Sequence, residues 1–114
     1  MVKLLFVAKK RVDLTEDQFI TYWRQIHAPM MAALPGVRRY LINAVTPDAS
    51  LSTADCDGVE EVWFDGLAAL QDAVASAAGK TAVADRSRFC APGSGTAVVE
   101  ELEIDLGSVA GRAV

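Results

Sequence analysis

VKLLFVAK, residues 2–9, is a strand-length apolar run that ends in charge. Both sets of alternating side chains are apolar: Leu5 and Val7 on one face, and Leu4, Phe6 and Ala8 on the other. A strand that is apolar on both faces is buried on both. The sheet that contains this strand therefore needs cover from two sides.

The rest of the sequence predicts the order β-α-β-β-α-β around this strand. A helix begins at Thr15, which forms a capping box with Gln18, and ends or kinks near His27, because Pro29 disfavours helical geometry before it. Residues 30–34 add another turn or two, and Pro35-Gly36 suits the centre of a type II turn. Further elements are expected as strands at 38–45, 59–64 and 97–106, a second helix capped by Asp65, and a short turn at 85–89.

This order is that of a ferredoxin-like α+β domain, a four-stranded antiparallel sheet with helices on one face. We expect residues 1–106 to form the domain and residues 107–114 a mobile tail. The other face of the sheet stays apolar and open, and a second copy of the chain is its simplest cover. The sequence therefore predicts a homodimer.

Composition limits the class of protein. The chain has 114 residues, of which 52% are apolar, so it can bury a core as a single domain without disulfides. A net charge of −4 disfavours nucleic acid as the main partner. Two cysteines without CxxC spacing and a single histidine provide no plausible set of zinc ligands. The apolar run near the N-terminus is too short for a signal peptide or a membrane span, so we expect a cytoplasmic protein without a membrane partner.

His27 is the main candidate for chemistry. At 100° per residue it points with the apolar stripe of the first helix, between Trp23 and Ile20. An imidazole at that position can act as a general base, a general acid or a hydrogen-bond partner for a ligand. The alternative is a histidine that caps the helix or is satisfied in the core. The stripe itself is predicted to contain Phe19, Tyr22, Trp23, Ile26 and Met30.

Polar residues in the strands provide further candidates. In the third strand, Glu60 and Glu61 point to opposite faces, so one of them points inward and is a candidate acid or base, unless the strand is an edge strand that reaches water. In the second strand, Tyr40 and Asn43 lie on opposite faces. Asp57 either closes a site from its loop or is a turn residue.

The stretch Tyr22-Trp23-x-x-x-His27-Ala28-Pro29 resembles the EthD family. The resemblance continues in order over roughly residues 2–104 through further motifs: Leu34-Pro35-Gly36, Tyr40 with Asn43, Asp57 to Phe64, Asp85-x-x-x-Phe89, and Val99-Glu100-Glu101. It implies a dimeric α+β barrel, in which two ferredoxin-like subunits pack sheet against sheet and each holds a small cavity between its sheet and helices.

The resemblance also implies chemistry on aromatic, polyketide-like or lactone compounds, largely by proton transfer and without cofactors. His27, Tyr22 and Trp23 match the family's first helix, and Trp63 matches its third strand. Relatives in the same barrel superfamily use further histidines that this chain lacks. Haem degradation is disfavoured, because the strand asparagine and later histidine that it requires are absent.

The leading hypothesis is therefore a cofactor-independent isomerase, dehydratase or cyclase acting on a small hydrophobic or aromatic compound. Its predicted catalytic residues are His27, Glu61 and Tyr40, with Glu60 as the alternative to Glu61. Its predicted substrate-binding residues are Tyr22, Trp23, Met30, Asn43, Asp57 and Trp63. The alternatives are a non-catalytic small-molecule carrier that serves an oxidative catabolic system, and a structural dimer without a pocket.

Overall fold

The computed structural model describes residues 1–46 and 50–107, and within these ranges it contains four β-strands. The strands are β1 (Val2–Ala8), β2 (Arg39–Ala44), β3 (Gly58–Phe64) and β4 (Gly95–Glu100). The α-helices are α1 (Glu16–Tyr22), α2 (Ala28–Ala32), α3 (Leu67–Ala75) and α4 (Ala77–Asp85). A π-helical turn, Trp23–His27, joins α1 to α2, and a 3₁₀ turn, Arg86–Arg88, follows α4.

The strands form one sheet in the order β2-β3-β1-β4, with each neighbouring pair antiparallel. This confirms the predicted ferredoxin-like α+β architecture. In the register, Phe6 lies opposite Glu60, and Ile42 lies opposite the same glutamate on the other side. Even-numbered residues of β1, β2 and β3 therefore share one face of the sheet.

The helices cover this even-numbered face, and the core lies beneath them. The buried side chains form two clusters within the described residues: Leu4, Met31, Leu34, Val62, Phe64, Leu70, Ala73 and Ala82 in one, and Phe6, Ala8, Phe19, Trp23, Phe89 and Cys90 in the other. The opposite face of the sheet carries an apolar centre that none of the described helices covers: Leu5, Val7, Leu41, Val59, Ala97 and Val99. We call this second surface the open face.

The first helix begins as predicted. Thr15 is its N-cap, its side chain accepts from the Gln18 backbone N–H, and the Gln18 side chain accepts from the Thr15 N–H, which completes the capping box.

The sequence predicts that the helix ends or kinks near His27, and the regular helix α1 ends shortly before it, at Tyr22. The chain then widens into the π-helical turn, in which the Ala28 N–H reaches the carbonyl of Trp23, five residues back. Pro29 has no N–H to donate, and its ring would crowd the carbonyl four residues earlier in a regular helix, so a wider turn lets the helix continue to Ala32.

The wider turn changes which residues face the sheet. The buried positions are Phe19, Trp23, His27 and Met31, a constant spacing of four residues. In a regular α-helix, side chains that are four residues apart shift around the helix axis by about 40° at each step. Ile26, which regular periodicity places on the buried face, is instead 46% exposed.

The predicted type II turn forms at Pro35-Gly36. Gly36 has φ +81°, and the Val37 N–H donates to the Leu34 carbonyl, as this turn requires. Asp65 does not cap the second helix, because its carboxylate pairs with Arg38 and the N-cap is Gly66.

The last strand differs from the prediction at both ends: it spans Gly95–Glu100 rather than residues 97–106. The predicted tail falls mostly on residues 108–114, which lie outside the described residues. In the part of the chain that is described, the helices are too short or too polar to cross a lipid bilayer.

Substitution of Gly58 by alanine tests how tightly β3 packs against the helix. A Cβ at this position would lie 2.6 Å from Trp23 Cζ3 and 2.9 Å from the Asn43 carbonyl oxygen. We expect Gly58→Ala to lower the free energy of unfolding by about 1–3 kcal/mol, because the backbone and the indole ring must move apart. Urea unfolding measures the change.

The matched control is Gly95→Ala on β4, where an added Cβ meets no atom within 4 Å. It should change stability by less than about 0.5 kcal/mol. Equal effects of the two substitutions would contradict the tight contact between β3 and Trp23.

Candidate functional site

His27 is the last residue of the π-helical turn, and its side chain is completely buried. Its ring packs against Phe89, with 4.9 Å between the ring centroids. The sequence expectation that His27 points with the apolar stripe is therefore confirmed. A buried imidazole requires partners for its nitrogens, and the surrounding elements provide two carboxylates.

Asp85 at the end of α4 is the partner of one nitrogen. His27 Nδ1 lies 3.1 Å from Asp85 Oδ2, and Asp85 is only 6% exposed. The Tyr22 hydroxyl donates to the other oxygen, Oδ1, at 2.7 Å, and Arg88 Nε lies 3.7 Å from that same oxygen. A carboxylate can only accept, so a proton on Nδ1 satisfies this contact, and the contact fixes the orientation of the ring.

Glu60 on β3 is the partner on the opposite side. Its Oε2 lies 3.5 Å from His27 Nε2 and accepts a hydrogen bond of 3.2 Å from the indole N–H of Trp23. Glu60 is completely buried. His27 therefore lies between two buried carboxylates that come from a helix end and from the central part of the sheet.

Three polar atoms in this cluster have no hydrogen-bond partner among the described residues. They are His27 Nε2, Glu60 Oε1 and the hydroxyl oxygen of Tyr40. Burial, together with the nearby Glu60 carboxylate, raises the pKa of Tyr40 well above its ordinary value of 10.0. Each buried group without a partner costs about 1–3 kcal/mol, so this cluster is the candidate functional site among the described residues.

The chemical capability of the cluster is proton transfer. An imidazole that carries its single proton on Nδ1 presents a lone pair at Nε2, which is the arrangement of a general base. Glu60 and Tyr40 lie on the same side of the sheet and provide an acid–base group and a hydroxyl donor. Within residues 1–46 and 50–107, no group of three His, Cys, Asp or Glu side chains is arranged to hold a metal ion.

Glu61, predicted to act with His27, lies on the opposite face of the sheet. Its carboxylate contacts Lys3 Nζ at 2.8 Å and Asn43 Nδ2 at 2.9 Å on the open face. The Lys3 ammonium group and the Asn43 amide lower the pKa of Glu61. Of the two candidate glutamates it is therefore Glu60, not Glu61, that lies beside His27, because side chains alternate along β3.

Three of the predicted substrate-binding residues also lie away from His27. Asn43 is on the open face with Glu61. Trp63 lies on that face too, under the guanidinium of Arg39 at 4.8 Å, and its indole N–H donates to Glu101. Asp57 accepts from the backbone N–H of Lys10 at 2.7 Å, which is the role of a loop-anchoring residue.

The other predicted binding residues lie around the cluster. Trp23 donates a hydrogen bond to Glu60, and Tyr22 donates one to Asp85. Met30 packs against the neighbouring apolar core. A groove of about 590 Å³ between the first helix and α4 is lined by Tyr22, Met30 and Asp85 among others. A second groove of about 580 Å³ lies at the start of β4, and its lining includes Phe6 and Arg86 but neither His27 nor Glu60.

Sequence reasoning missed two residues of the site. Asp85 follows a stretch rich in alanine, residues 75–84, in which apolar spacing gives little indication of a helix. Its only signal was its place in the Asp85-x-x-x-Phe89 motif. Arg86 belongs to none of the sequence motifs, yet its guanidinium is largely buried. This burial lowers the pKa of Arg86, and the nearby Glu60 carboxylate acts to raise it.

The family model of the EthD domain matches residues 11–93 of the chain. No curated protein matches this sequence.

Solved structures with the same fold provide further comparisons. An EthD family protein from Bacillus halodurans has a TM-score of 0.78 and 22% identity, over 90% of this chain and 99% of that one. A dimeric ferredoxin-like protein from Thermobifida fusca has a TM-score of 0.61 and 18% identity, over 86% and 88%. A mutant of SnoaB from Streptomyces nogalater, a cofactor-independent oxygenase, has a TM-score of 0.59 and 15% identity, over 90% and 95%. At these identities the likeness shows the fold alone.

The raised pKa of Tyr40 leads to a pH-dependent stability. Above pH 10 the unfolded chain loses the phenol proton while the folded chain keeps it, so the folded state is progressively disfavoured. We expect this tyrosine to lower the free energy of unfolding by up to about 1.4 kcal/mol per pH unit there. Urea unfolding of the wild type and of Tyr40→Phe between pH 9 and pH 11, values chosen around the ordinary tyrosine pKa of about 10, measures the difference.

The lysines and Tyr22 titrate in both proteins and cancel in the comparison. The stability of Tyr40→Phe relative to the wild type should therefore rise with pH. Parallel pH profiles for the two proteins would show that the Tyr40 hydroxyl is not held in its neutral form by its surroundings.

Proposed function

This chain belongs to the EthD family, and we propose that it is a cofactor-independent enzyme that binds a small aromatic, polyketide-like or lactone compound and catalyses proton transfer on it. The reaction is of the isomerase, dehydratase or cyclase type. The observation that carries the proposal is His27 Nε2, which is buried, unpartnered and adjacent to a second carboxylate.

The proposed roles follow from the contacts. Asp85 and Tyr22 keep the proton on Nδ1, so Nε2 is the base that removes a proton from a carbon or hydroxyl of the substrate. As the imidazolium forms, its charge lies between Asp85 and Glu60, and both carboxylates stabilise it. Tyr40 donates from its hydroxyl to the oxygen on which negative charge develops.

Catalysis of this kind needs no group beyond the protein's own side chains. The transferred proton can return to a different atom of the substrate from the same imidazole, which gives isomerisation, or can accompany the loss of water, which gives dehydration. SnoaB, which shares this fold, is described as a cofactor-independent oxygenase, which supports the general idea that the fold hosts chemistry without a cofactor. The proposal for this chain rests on its own cluster.

Solvent deuterium exchange tests the role of His27. We expect at least one member of a panel of phenols, unsaturated lactones and 1,3-diketones to exchange a carbon-bound proton in D₂O in the presence of the protein, as measured by ¹H NMR. His27→Gln should slow this exchange by about 10²- to 10⁴-fold, the usual contribution of a general base. Asp85→Asn should slow it by roughly tenfold or more, because the wrong tautomer becomes available.

The matched control is Asp65→Asn, which removes an exposed carboxylate paired only with Arg38 and should leave exchange unchanged. Exchange at the wild-type rate in His27→Gln would overturn the assignment of the base.

The alternative is a carrier protein that binds such a compound without converting it, as an accessory to an oxidative catabolic system. The two grooves described above favour this possibility, since neither of them is lined by His27. Binding of a panel compound without exchange or conversion would support it. The cytoplasmic location expected from the sequence stays a prediction.

We also propose that two copies of the chain pack through the open face. Its apolar centre and the half-buried Lys3–Glu61 pair are left without a covering layer by the described part of the chain. The Thermobifida fusca protein of the same fold is described as dimeric, which is consistent with this arrangement. A paired open face produces the dimeric α+β barrel expected from the sequence.

A charge on the open face tests the dimer. Sedimentation equilibrium at micromolar concentration should give the wild type twice the 12.2 kDa of one chain. Leu41→Lys, which places an ammonium group on the open face, should shift the mass to that of one chain, because the charge would have to be buried. Leu67→Lys on α3, a leucine that is 50% exposed on the opposite side, is the control and should leave the mass unchanged. A monomeric wild type would contradict the proposal.

A further inference from the structure

The guanidinium group of Arg86 is positioned by a contact on its planar face and by a hydrogen bond at one of its nitrogens. Its guanidinium carbon lies 4.0 Å from the centroid of the Phe6 ring. Its Nη1 donates to the Thr96 hydroxyl at 3.2 Å. Arg86 directly follows Asp85 in the chain, so the contact between Asp85 and His27 also fixes the backbone position of Arg86.

The remaining edge of the guanidinium has no partner. Nε and Nη2 are both buried and make no hydrogen bond to any described residue. These two nitrogens form the side edge of the group, where two N–H bonds point in the same direction and match the two oxygens of a carboxylate.

Two other arginines of this chain show what that edge binds. Arg11 uses Nε and Nη2 to hold the two oxygens of Asp13, at 3.0 and 2.7 Å. Arg38 holds Asp65 through the same two nitrogens, at 3.1 and 2.7 Å. Arg86 presents the same pair of donors without a carboxylate.

The charge of Arg86 is also uncompensated at short range. Among the described residues, no carboxylate oxygen lies within 4.0 Å of its nitrogens, although Glu60 is near enough to influence its pKa. A buried cation without a paired anion is strongly unfavourable, so an anion that binds here gains more than it would at the surface.

The groove next to Arg86 has the size and chemistry for a small organic acid. It has a volume of about 580 Å³, within the range of ligand pockets. Its lining combines apolar groups with a few polar ones: Phe6, Cys90, Ala91 and Pro92 with Ser87, Ser94 and Thr96. Burial raises the pKa of the Cys90 thiol to about 12, so this group adds no negative charge that would repel an anion.

We propose that Arg86 binds the carboxylate of the substrate, and that the substrates are therefore small aromatic or polyketide-like carboxylic acids rather than neutral lactones. This inference rests on the proposed ligand site and narrows its substrate class. The carboxylate pairs with Nε and Nη2, and the apolar part of the acid packs along Phe6. Arg86 is then the residue that determines specificity for the acid group.

Matched acids and amides test the proposal. The probes are benzoate with benzamide and 2-naphthoate with 2-naphthamide, because each pair differs mainly in charge. We expect each acid to bind the wild type about tenfold or more tighter than its amide, as measured by NMR titration. The Nε–H resonance of Arg86, assigned by its loss in Arg86→Lys, should shift with each acid and not with its amide.

Variants identify the residue responsible. Arg86→Gln should bind acid and amide equally, and Arg86→Lys should keep only part of the preference, since a single ammonium cannot form the paired contact. Arg38→Gln is the matched control: Arg38 lies outside this groove and pairs with Asp65 through the same two nitrogens, so the preference should persist. If Arg86→Gln does not fold, the wild-type Nε–H shift and Arg86→Lys still decide the question.

The outcomes separate this inference from the proposed proton transfer. Equal binding of acids and amides, no binding of any acid at millimolar concentration, or loss of the preference in Arg38→Gln would overturn the role of Arg86. A preference for acids over amides that disappears in Arg86→Gln but persists in His27→Gln supports it, even when no compound is converted. Conversion of neutral lactones without preference for acids would leave the proton-transfer proposal intact and remove this one.

Discussion

The imidazole of His27 lies between Asp85 at 3.1 Å and Glu60 at 3.5 Å, all three almost or completely out of contact with solvent. Burying two carboxylates is unfavourable unless each has partners, and the surrounding elements provide them. Trp23 donates to Glu60, and Tyr22 donates to Asp85. The first helix, β3 and the end of α4 are therefore tied together by one polar cluster inside an otherwise apolar core.

The position of the imidazole depends on a departure from regular helical geometry. Pro29 is incompatible with a regular helix through the preceding turn, and the chain responds with the π-helical turn Trp23–His27. That turn keeps Phe19, Trp23 and His27 on the buried side at a constant spacing of four. π-helical turns often occur at functional sites, and here the turn aims the imidazole at the sheet.

Much of the fold could be predicted from sequence, because capping, turn chemistry and apolar alternation are local signals. The capping box at Thr15 and the turn at Gly36 are examples. The site was harder, because it depends on tertiary pairing. Each face of β3 carries apolar residues and one glutamate, so alternation alone could not decide whether Glu60 or Glu61 points to the core. Asp85 reaches His27 only through the docking of a helix without a clear apolar pattern.

Strand β3 separates two surfaces that experience different constraints. Glu60 points to the buried cluster and Glu61 to the open face, although the two are neighbours in the chain. Substitutions at even-numbered positions of β3 can change the buried cluster without changing the open face. Substitutions at odd-numbered positions can do the reverse. A slip of the strand by a single residue, in contrast, would exchange the two surfaces at once. Replacements on β3 can therefore change the buried cluster and the open face independently, whereas a shift of the strand cannot.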